Sequence, residues 1–292
     1  MTATILNGRT MSAELKVELR DDVQRYVQRY GNAPGLVIVR VEGDAASGVY
    51  SRAILRIAND IGVLARLELL PAVTTPEELR STLLELNSDV NVHGIIVQMP
   101  LPTHLTQEIV TNTIAVEKDI DGISPLSAGN LCLGVPGFLP STAAAVMEIF
   151  ERSQLPLEGK HVVILGRSNV VGKPLAQLFL QKNATVTICH SRTPELSFFT
   201  QQADVLVAAV GRPKMVRAEM VGMGAVVIDV GTNALPEGGI IGDVDFATVQ
   251  EVASAITPTP GGVGPLTNAL LLKQCVKAAW YQASLHAENT HS

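Results

Sequence analysis

The first hundred residues alternate between apolar positions at helical spacing and short continuous apolar runs. Residues 12–30 show the helical spacing and are followed by the breaker cluster Gly31-Asn-Ala-Pro34, which predicts a first helix. Short apolar runs predict strands, and the amphipathic segments between them predict helices. The predicted strands are 35–41, 65–70 and 94–97, and the predicted helices are 47–61 and 76–86.

The second half repeats this alternation after a segment rich in Gly, Pro and Ser between residues 122 and 142. That segment predicts a hinge, which a linking helix over 143–153 follows. Further strands are predicted at 161–165, 185–189, 205–209 and 225–230, and a last helix is predicted from 266 to about 283. This alternation is typical of parallel sheets with right-handed crossovers. We expect an α/β protein with one domain over 1–140, completed by 268–292, and a second domain over 141–267.

The composition indicates a packed globular protein rather than a disordered or nucleic-acid-binding one. Of 292 residues, 47% are hydrophobic and 17% are charged, and the net charge is -6. Lys and Arg are scattered, so we expect no nucleic-acid partner. We expect a cytoplasmic protein without membrane contact, because no apolar segment reaches the ~18 residues of a bilayer span and the amino end lacks a secretory pattern. Cys132, Cys189 and Cys275 are predicted to be reduced and buried.

A glycine-containing turn joins the predicted strand 161–165 to the next helix. In Gly166-Arg-Ser-Asn-Val-Val-Gly172 the first glycine permits a tight turn and the last permits close helix packing, although the middle glycine of G-x-G-x-x-G is absent. Backbone N–H groups at the helix start are suited to bind a pyrophosphate. The pattern alone also fits an ordinary turn, but its βαβ context favours a Rossmann-type dinucleotide-binding domain. The predicted cofactor contacts in this turn are Gly166, Arg167, Ser168, Val171 and Gly172.

The end of the next strand predicts the nucleotide preference. NAD-binding proteins of this class carry an acid there, roughly 20 residues after the glycine turn, to hold a ribose hydroxyl. Here the chain reads Cys189-His190-Ser191-Arg192, without a carboxylate. Ser191 and Arg192, with Arg167, offer donors and positive charge to a 2′-phosphate, and His190 is predicted to line the same site. The sequence therefore predicts NADP, although Arg192 fits a solvated surface position equally well.

Several motifs, taken together and in order, resemble one family. Besides the glycine turn and His190-Ser191, they are Tyr50 within 43–50, Val97-Gln-Met-Pro-Leu-Pro102, Lys118-Asp-Ile-Asp-Gly122, Asp229-Val-Gly-Thr-Asn233, Gly242-Asp-Val-Asp245 and Pro260-Gly-Gly-Val-Gly-Pro265. Over almost the whole chain they resemble methylenetetrahydrofolate dehydrogenase/cyclohydrolase, the FolD family. The resemblance implies a folate-binding catalytic domain over 1–140, completed by 268–292, an NADP-binding domain over 141–267, and a reactive cleft between them.

The resemblance also implies ligands and site residues. The substrate is expected to be a tetrahydrofolate derivative, the cofactor NADP, the metal none, and the assembly a homodimer formed through the dinucleotide-binding domain. Asp121 is implied to pair with donors of the pterin ring. Without the family, Tyr50 would be read as a packing residue and Asp119 as a solvated neighbour. The implied catalytic residues are Tyr50, Gln98 and Asp121, the substrate-binding residues are these with Pro100, Gly262 and Pro265, and Thr232 joins the cofactor residues.

One departure from the family pattern concerns the chemistry directly. The family has a Lys four residues after the Tyr, on the same helix face, whereas position 54 here is Ile. Hydride transfer chiefly needs positioning, but hydrolysis of a methenyl cation needs a titratable group, which Ile lacks. Arg52 and Arg56 project toward other parts of the helix surface and are not bases. The sequence predicts a dehydrogenase with weak or absent cyclohydrolase activity.

Two rival functions stay open from the sequence. Ile54 and two further departures, Ser141 and Ala143 in the hinge, are compatible with a non-catalytic or regulatory paralogue that binds folate or dinucleotide without turnover. The second rival is a dehydrogenase of the same architecture that acts on an amino acid or hydroxy acid, because a fold does not fix chemistry. Asp121 and Gln98 argue against the second rival.

Overall fold

The computed structural model describes residues 2–43 and 45–289. Strands and helices alternate along most of the chain, as the apolar pattern predicts. Up to residue 133 the elements are β1 (Thr4–Ile5), α1 (Gly8–Tyr30), β2 (Gly35–Val41), α2 (Ala45–Ile61), β3 (Leu64–Leu70), α3 (Pro76–Ser88), β4 (Gly94–Val97), α4 (Gln107–Thr111) and α5 (Pro125–Leu133). Those that follow are α6 (Ser141–Arg152), β5 (His161–Leu165), α7 (Gly172–Gln181), β6 (Thr185–Cys189), α8 (Leu196–Thr200), β7 (Val205–Ala208), β8 (Val226–Asp229), β9 (Asn233–Ala234), β10 (Ile240–Ile241), α9 (Phe246–Val249), β11 (Ala255–Ile256) and α10 (Val263–Asn289).

Residues 14–139 and 268–292 form one compact unit, which we call the three-stranded unit. Its parallel sheet has the order β3-β2-β4, with Leu36 of β2 opposite Ala65 and Gly94. Successive side chains of a strand point to opposite faces, so alternate residues of β2 share one face. On that face Val37 and Val39 pack in one apolar cluster with side chains of α3, including Leu79 and Leu83.

Residues 1–13 and 140–267 form the second compact unit, the six-stranded unit. Its parallel sheet has the order β1-β11-β8-β7-β5-β6 and contains all four strands predicted for this half. Two short strands, β1 and β11, extend it. Residues 1–13, which the sequence analysis places in the first domain, group with this unit in the structure, because Thr4 of β1 pairs with Ala255 of β11 and Ala3 joins the core of the six-stranded unit.

The strand order of the six-stranded sheet fixes where a ligand can bind. From β5 the chain crosses to β6 on one side, and it then returns to β7 on the other side of β5. Connections leaving a strand in opposite directions open a crevice at the carboxyl ends, where dinucleotides bind in open α/β sheets. Here that crevice lies beyond Leu165 and Ala208, the last residues of β5 and β7.

The structure differs from the expectations in two details of this part of the chain. The segment rich in Gly, Pro and Ser contains helix α5, because Ser124 caps it by accepting the N–H of Ser127, Pro125 occupies its first turn and Gly134 ends it in the left-handed conformation. Cys132 lies on this helix and is exposed, whereas Cys189 and Cys275 are buried as predicted. The linking helix is confirmed as α6.

Candidate active site

A cavity of about 470 Å³ opens at the crevice of the six-stranded sheet. The ends of β5, β6 and β7 and the loops that follow them form its walls. Predicted cofactor residues from the loops after β5 and β6 therefore line one cavity, together with residues that follow β7. The lining residues are Leu165, Gly166, Arg167, Ser168, Cys189, His190, Ser191, Thr193, Leu196, Ala209, Val210, Arg212 and Met215.

Two glycines are required by the packing of the turn after β5. Gly166 has a φ of +119°, and a Cβ atom there would overlap the carbonyl oxygen of Ala209. A Cβ atom on Gly172 would overlap the carbonyl oxygen of Gly166. The tight turn predicted for Gly166 and the close helix approach predicted for Gly172 are both present. The backbone at the base of the cavity is thus free of side chains that would keep a phosphate away.

Between these glycines, Ser168 organises the start of α7. Its hydroxyl oxygen accepts the N–H of Val171 at 3.1 Å, and its carbonyl oxygen accepts the N–H of Lys173 at 3.1 Å. Ser168 lines the cavity, whereas Val171 is half-buried outside its wall. The predicted role of Val171 as a cofactor contact stays a prediction.

The polar lining of the cavity is suited to an anion. Arg167, His190, Ser191 and Arg212 contribute to it, and no Asp or Glu occurs among the described residues that line it. Arg192 is exposed and outside the wall, and its N–H lies 3.2 Å from Nδ1 of His190. The N–H of Arg192 donates to Nδ1 of His190, which links the first and third residues after β6 at the start of the loop.

Arg212 is a residue that our sequence analysis missed. It follows β7 in the sequence Gly211-Arg212-Pro213, where a breaker pair surrounds a cation at the end of a buried strand. Loops at the carboxyl ends of parallel strands carry ligand-binding groups, so this position could have been found from the predicted strand 205–209.

Three further predicted residues lie together elsewhere in the six-stranded unit. Thr232, Gly262 and Pro265 line a cavity of about 190 Å³, to which Arg9 and Asp229 also contribute. Within the same unit, the hydroxyl of Ser12 donates to the carbonyl oxygen of Pro265 at 2.8 Å, which fixes the first turn of α10.

The predicted catalytic residues of the three-stranded unit lie at the carboxyl end of its sheet. Tyr50 lies on α2, and Gln98 directly follows β4. The hydroxyl of Ser51 donates to Oε1 of Gln98 at 3.3 Å, so α2 contacts Gln98 through Ser51.

Ile54, one turn further along α2, is 0% exposed and contributes an apolar side chain to the core. Pro100 is exposed two residues beyond Gln98.

Tyr50 and Asp121 influence each other electrostatically. Burial raises the pKa of the Tyr50 hydroxyl, and the Asp121 carboxylate raises this pKa further. Tyr50 therefore keeps its proton at neutral pH and is a hydrogen-bond donor rather than a base. Asp121 is half-buried, so its side chain retains access to a ligand.

Lys118 and Asp119, which precede Asp121, hold the backbone in place. The ammonium of Lys118 donates to the carbonyl oxygens of Leu86 at 3.0 Å and Asp89 at 2.8 Å, at the end of α3. Asp119 is 1% exposed, so the alternative that made it a solvated neighbour is wrong. Its carboxylate accepts the N–H groups of Ile123 and Ser124 and the hydroxyl of Ser127.

Neither a metal site nor a membrane-spanning helix is found among the described residues. Over 2–43 and 45–289, no group of three or more His, Cys, Asp or Glu side chains could hold a metal ion. In the same ranges, no helix has both the length and the apolar character that a membrane span needs.

Comparison with known proteins assigns both parts of the chain to one family. Residues 6–121 match the tetrahydrofolate dehydrogenase/cyclohydrolase catalytic domain, and residues 140–283 match the NAD(P)-binding domain of the same family. The fold and the cavity define a dinucleotide-binding protein of the two-domain α/β class. Within that class, the chain belongs to the tetrahydrofolate dehydrogenase/cyclohydrolase family.

Relatives match over nearly their whole length. The bifunctional protein FolD of Roseiflexus sp. (strain RS-1) is 46% identical over 98% of this chain and 100% of its own. The crystal structure of the bifunctional enzyme FolD from Campylobacter jejuni is 40% identical with a TM-score of 0.94, over 96% of this chain and 99% of its own. The Trypanosoma brucei FolD structure, a complex with NADP and an inhibitor, is 35% identical with a TM-score of 0.92, over 97% and 99%.

Proposed function

We propose that this protein is a cytoplasmic NADP-dependent methylenetetrahydrofolate dehydrogenase with weak or absent methenyltetrahydrofolate cyclohydrolase activity. The observation that carries the proposal is the combination of family membership with an apolar residue at position 54. The cofactor assignment is supported by the cavity beyond β5, whose described lining includes two arginines and no acid. The dinucleotide fits this cavity through the bare backbone at Gly166 and the cationic wall.

The dehydrogenase step makes few demands on side chains. NADP supplies the hydride acceptor, and the C–H bond of the methylene carbon breaks while a ring nitrogen lone pair forms the C=N bond of the methenyl cation. The residues of the three-stranded unit bind and orient the folate. Asp121 accepts hydrogen bonds from ring donors, and the protonated Tyr50 donates one or packs on the ring.

The hydrolase step, unlike the dehydrogenase step, needs groups that transfer protons. Water must add to the methenyl carbon and lose a proton, a C–N bond must break, and the leaving nitrogen must gain a proton. Ile54 is 0% exposed and has no group that carries a proton. Lys118 is engaged with the carbonyl groups at the end of α3, and Arg52 and Arg56 are exposed on other parts of α2. Gln98, whose Oε1 accepts from Ser51, can orient water but cannot deprotonate it.

The test is a paired assay on the wild type and two variants. Wild type should reduce NADP with methylene-tetrahydrofolate and should hydrolyse methenyl-tetrahydrofolate no faster than buffer. Ile54→Lys should raise hydrolysis by roughly 10- to 100-fold, because burial lowers the pKa of a lysine toward neutrality. Ile54→Met is the matched control, since Met is of similar length and has no amine, and it should leave hydrolysis unchanged.

Three results separate the possibilities. Rapid hydrolysis by the wild type would contradict the assignment of a single activity. Stabilisation by NADP and folate without any reduction would favour a regulatory paralogue. Dehydrogenase activity serves as the measure of folding, so an Ile54→Lys variant that reduces NADP normally and still fails to hydrolyse would also count against the role given to position 54.

The proposed assembly is a homodimer formed through the six-stranded unit. Among the described residues, β6 is the last strand of its sheet and has one unpaired edge, and Ile188 on it is 38% exposed. Leu180 and Phe198 of the same unit are also exposed. Unpaired edges and exposed apolar side chains are features that subunit interfaces cover. Light scattering during size-exclusion chromatography should give twice the mass of the chain, and a monomer mass would refute the proposal.

A further inference from the structure

The carboxylate of Asp243 fixes one wall of the dinucleotide cavity. Asp243 is 0% exposed. Its Oδ2 accepts the N–H groups of Val210 at 2.6 Å and Gly211 at 2.9 Å, and its Oδ1 accepts the N–H of Arg212 at 2.8 Å. Hydrogen bonds to a charged, buried acceptor are among the strongest in proteins. Three successive peptide groups after β7 are therefore held by one side chain.

Asp243 is itself fixed from the opposite side. Its N–H donates to Oδ1 of Asp229 at 3.0 Å, at the end of β8. The side-chain amide of Asn233 donates to Oδ1 of Asp243 at 2.9 Å and to the carbonyl oxygen of Ile241 at 3.2 Å. The loop after β7 is thus tied to the end of the neighbouring strand and to the β9–β10 hairpin. Its backbone has little freedom to move.

These hydrogen bonds fix the backbone of Arg212, from which its side chain extends. Arg212 and Arg167 line the same cavity, from the loops after β7 and β5 respectively. Among the described residues, Arg212 takes part in none of the ion pairs, so its guanidinium is available to a ligand. Ser191 and His190 contribute donors from the loop after β6. Hydrogen-bond donors and cations from three loops therefore line one cavity, and the described lining of this cavity contains no acidic residue.

We infer that Arg212 binds the 2′-phosphate that distinguishes NADP from NAD, together with Arg167, and that Asp243 is the residue that positions Arg212. The inference deepens the proposed function and rests on it for the identity of the nucleotide. A guanidinium presents a planar set of donors that matches the oxygens of a phosphate group. Arg212 is therefore a specificity-determining residue.

The first experiment removes the guanidinium. Purified full-length Arg212→Gln should bind NADP roughly 10- to 100-fold more weakly than the wild type, which is the loss expected for a charge-assisted hydrogen-bonded contact. Its affinity for NAD should stay close to that of the wild type. Arg212→Lys should keep part of the preference, because the charge remains without the planar fork. Arg217→Gln is the matched control, since Arg217 is exposed in the same segment and outside the cavity wall.

The second experiment tests the positioning role. Asp243→Asn replaces one acceptor oxygen by an amide donor, so the loop N–H groups lose part of their partner. KM for NADP should rise, kcat at saturating NADP should be retained, and KM for NAD should change less. In the Arg212→Gln background the same change should add little to the loss of NADP affinity. This non-additivity is the readout that a merely structural role would not produce.

Several outcomes would overturn the inference. Equal losses of NADP and NAD affinity in Arg212→Gln would mean that Arg212 contacts the shared part of the nucleotide. Additive effects of the two substitutions would remove the positioning role. If Asp243→Asn does not fold, Asn233→Ala gives a milder disturbance of the same carboxylate with the same expectation. Binding is measured without folate, so loss of NADP preference in Arg212→Gln would support the inference even if folate turnover were absent.

Discussion

Asp229 ends β8 as a buried carboxyl group with opposing influences on its pKa. Burial has the largest effect and raises the pKa to about 6, and the nearby Asp243 carboxylate also raises it. The N–H groups of Asp243, Val244 and Gly231 donate to Asp229 and lower the pKa. Desolvation outweighs these hydrogen bonds. The folded protein therefore binds the proton of Asp229 more tightly than the unfolded chain does.

We predict a change in the pH dependence of stability when Asp229 is replaced by Asn. With a folded-state pKa above the ordinary value of 3.8, the free energy of unfolding falls as pH rises from about 4 to about 6 and stays lower above that. Asp229→Asn removes this titration. The wild type should lose roughly 2 to 3 kcal/mol relative to the variant across this range, as measured by urea unfolding at a series of pH values.

The control substitution, Asp204→Asn, should change the pH dependence of stability in the opposite direction. Asp204 is exposed, and the N–H of His161 holds the pKa of its carboxyl group below its usual value. Its contribution to stability is present at neutral pH and is lost as pH falls, so Asp204→Asn should reverse the direction of the difference. Identical pH slopes for the wild type and Asp229→Asn would show that Asp229 is not a perturbed group.

At the scale of elements, α3 is stabilised at both ends by side chains. At its start, Thr75 and Glu78 form a capping box: Glu78 accepts the N–H of Thr75 at 2.7 Å, and Thr75 accepts the N–H of Glu78 at 3.2 Å. At its end, the Lys118 ammonium satisfies two carbonyl oxygens, and burial lowers the pKa of this lysine. Helix ends leave backbone groups unpaired, so both contacts stabilise α3, and the second also fixes Lys118 in the segment that leads to Asp121.

Replacing Lys118 by Met should destabilise the protein without changing its chemistry. The carbonyl oxygens of Leu86 and Asp89 would lose a buried charged donor, at a cost of about 1–3 kcal/mol in the free energy of unfolding. Lys182→Met, at the exposed end of α7, should cost less than about 0.5 kcal/mol. Dehydrogenase turnover per folded molecule should be retained. Loss of turnover in fully folded Lys118→Met would instead give Lys118 a part in the reaction.

Local patterns predicted most of the elements that are long enough to show a hydrophobic pattern. The apolar run of β2 is confirmed at both ends, and the helical spacing of α1 is confirmed except that the helix begins four residues earlier, at Gly8. α5 was missed although Ser124, Pro125 and Gly134 carry start and stop signals, because the composition of its segment resembled a loop. β1 and β11 have two residues each, which is too short for a period, and only their pairing defines them.

At the scale of the whole molecule, long-range contacts limited what the sequence could predict. The glycine turn and the residues after β6 are local signals, and they led to the cavity. Arg212 and Asp243 are 31 residues apart in the chain and meet only because the loops after β7 and the β9–β10 hairpin are neighbours in the sheet arrangement. Likewise, burial of Ile54 and the Ser51 contact to Gln98 follow from how α2 packs on its sheet. Family models match residues 6–121 as the catalytic domain and residues 140–283 as the NAD(P)-binding domain, which a local sequence pattern alone does not show.

The central claim is direct hydride transfer to NADP without hydrolysis of the product. The most direct measurement supplies methylene-tetrahydrofolate deuterated at the methylene carbon, together with NADP and the wild-type protein, and follows both products by mass spectrometry. The expected products are reduced cofactor that carries one deuterium and methenyl-tetrahydrofolate, which accumulates in equal amount. Reduced cofactor without deuterium, or formyl-tetrahydrofolate forming as fast as the reduced cofactor, would contradict the claim.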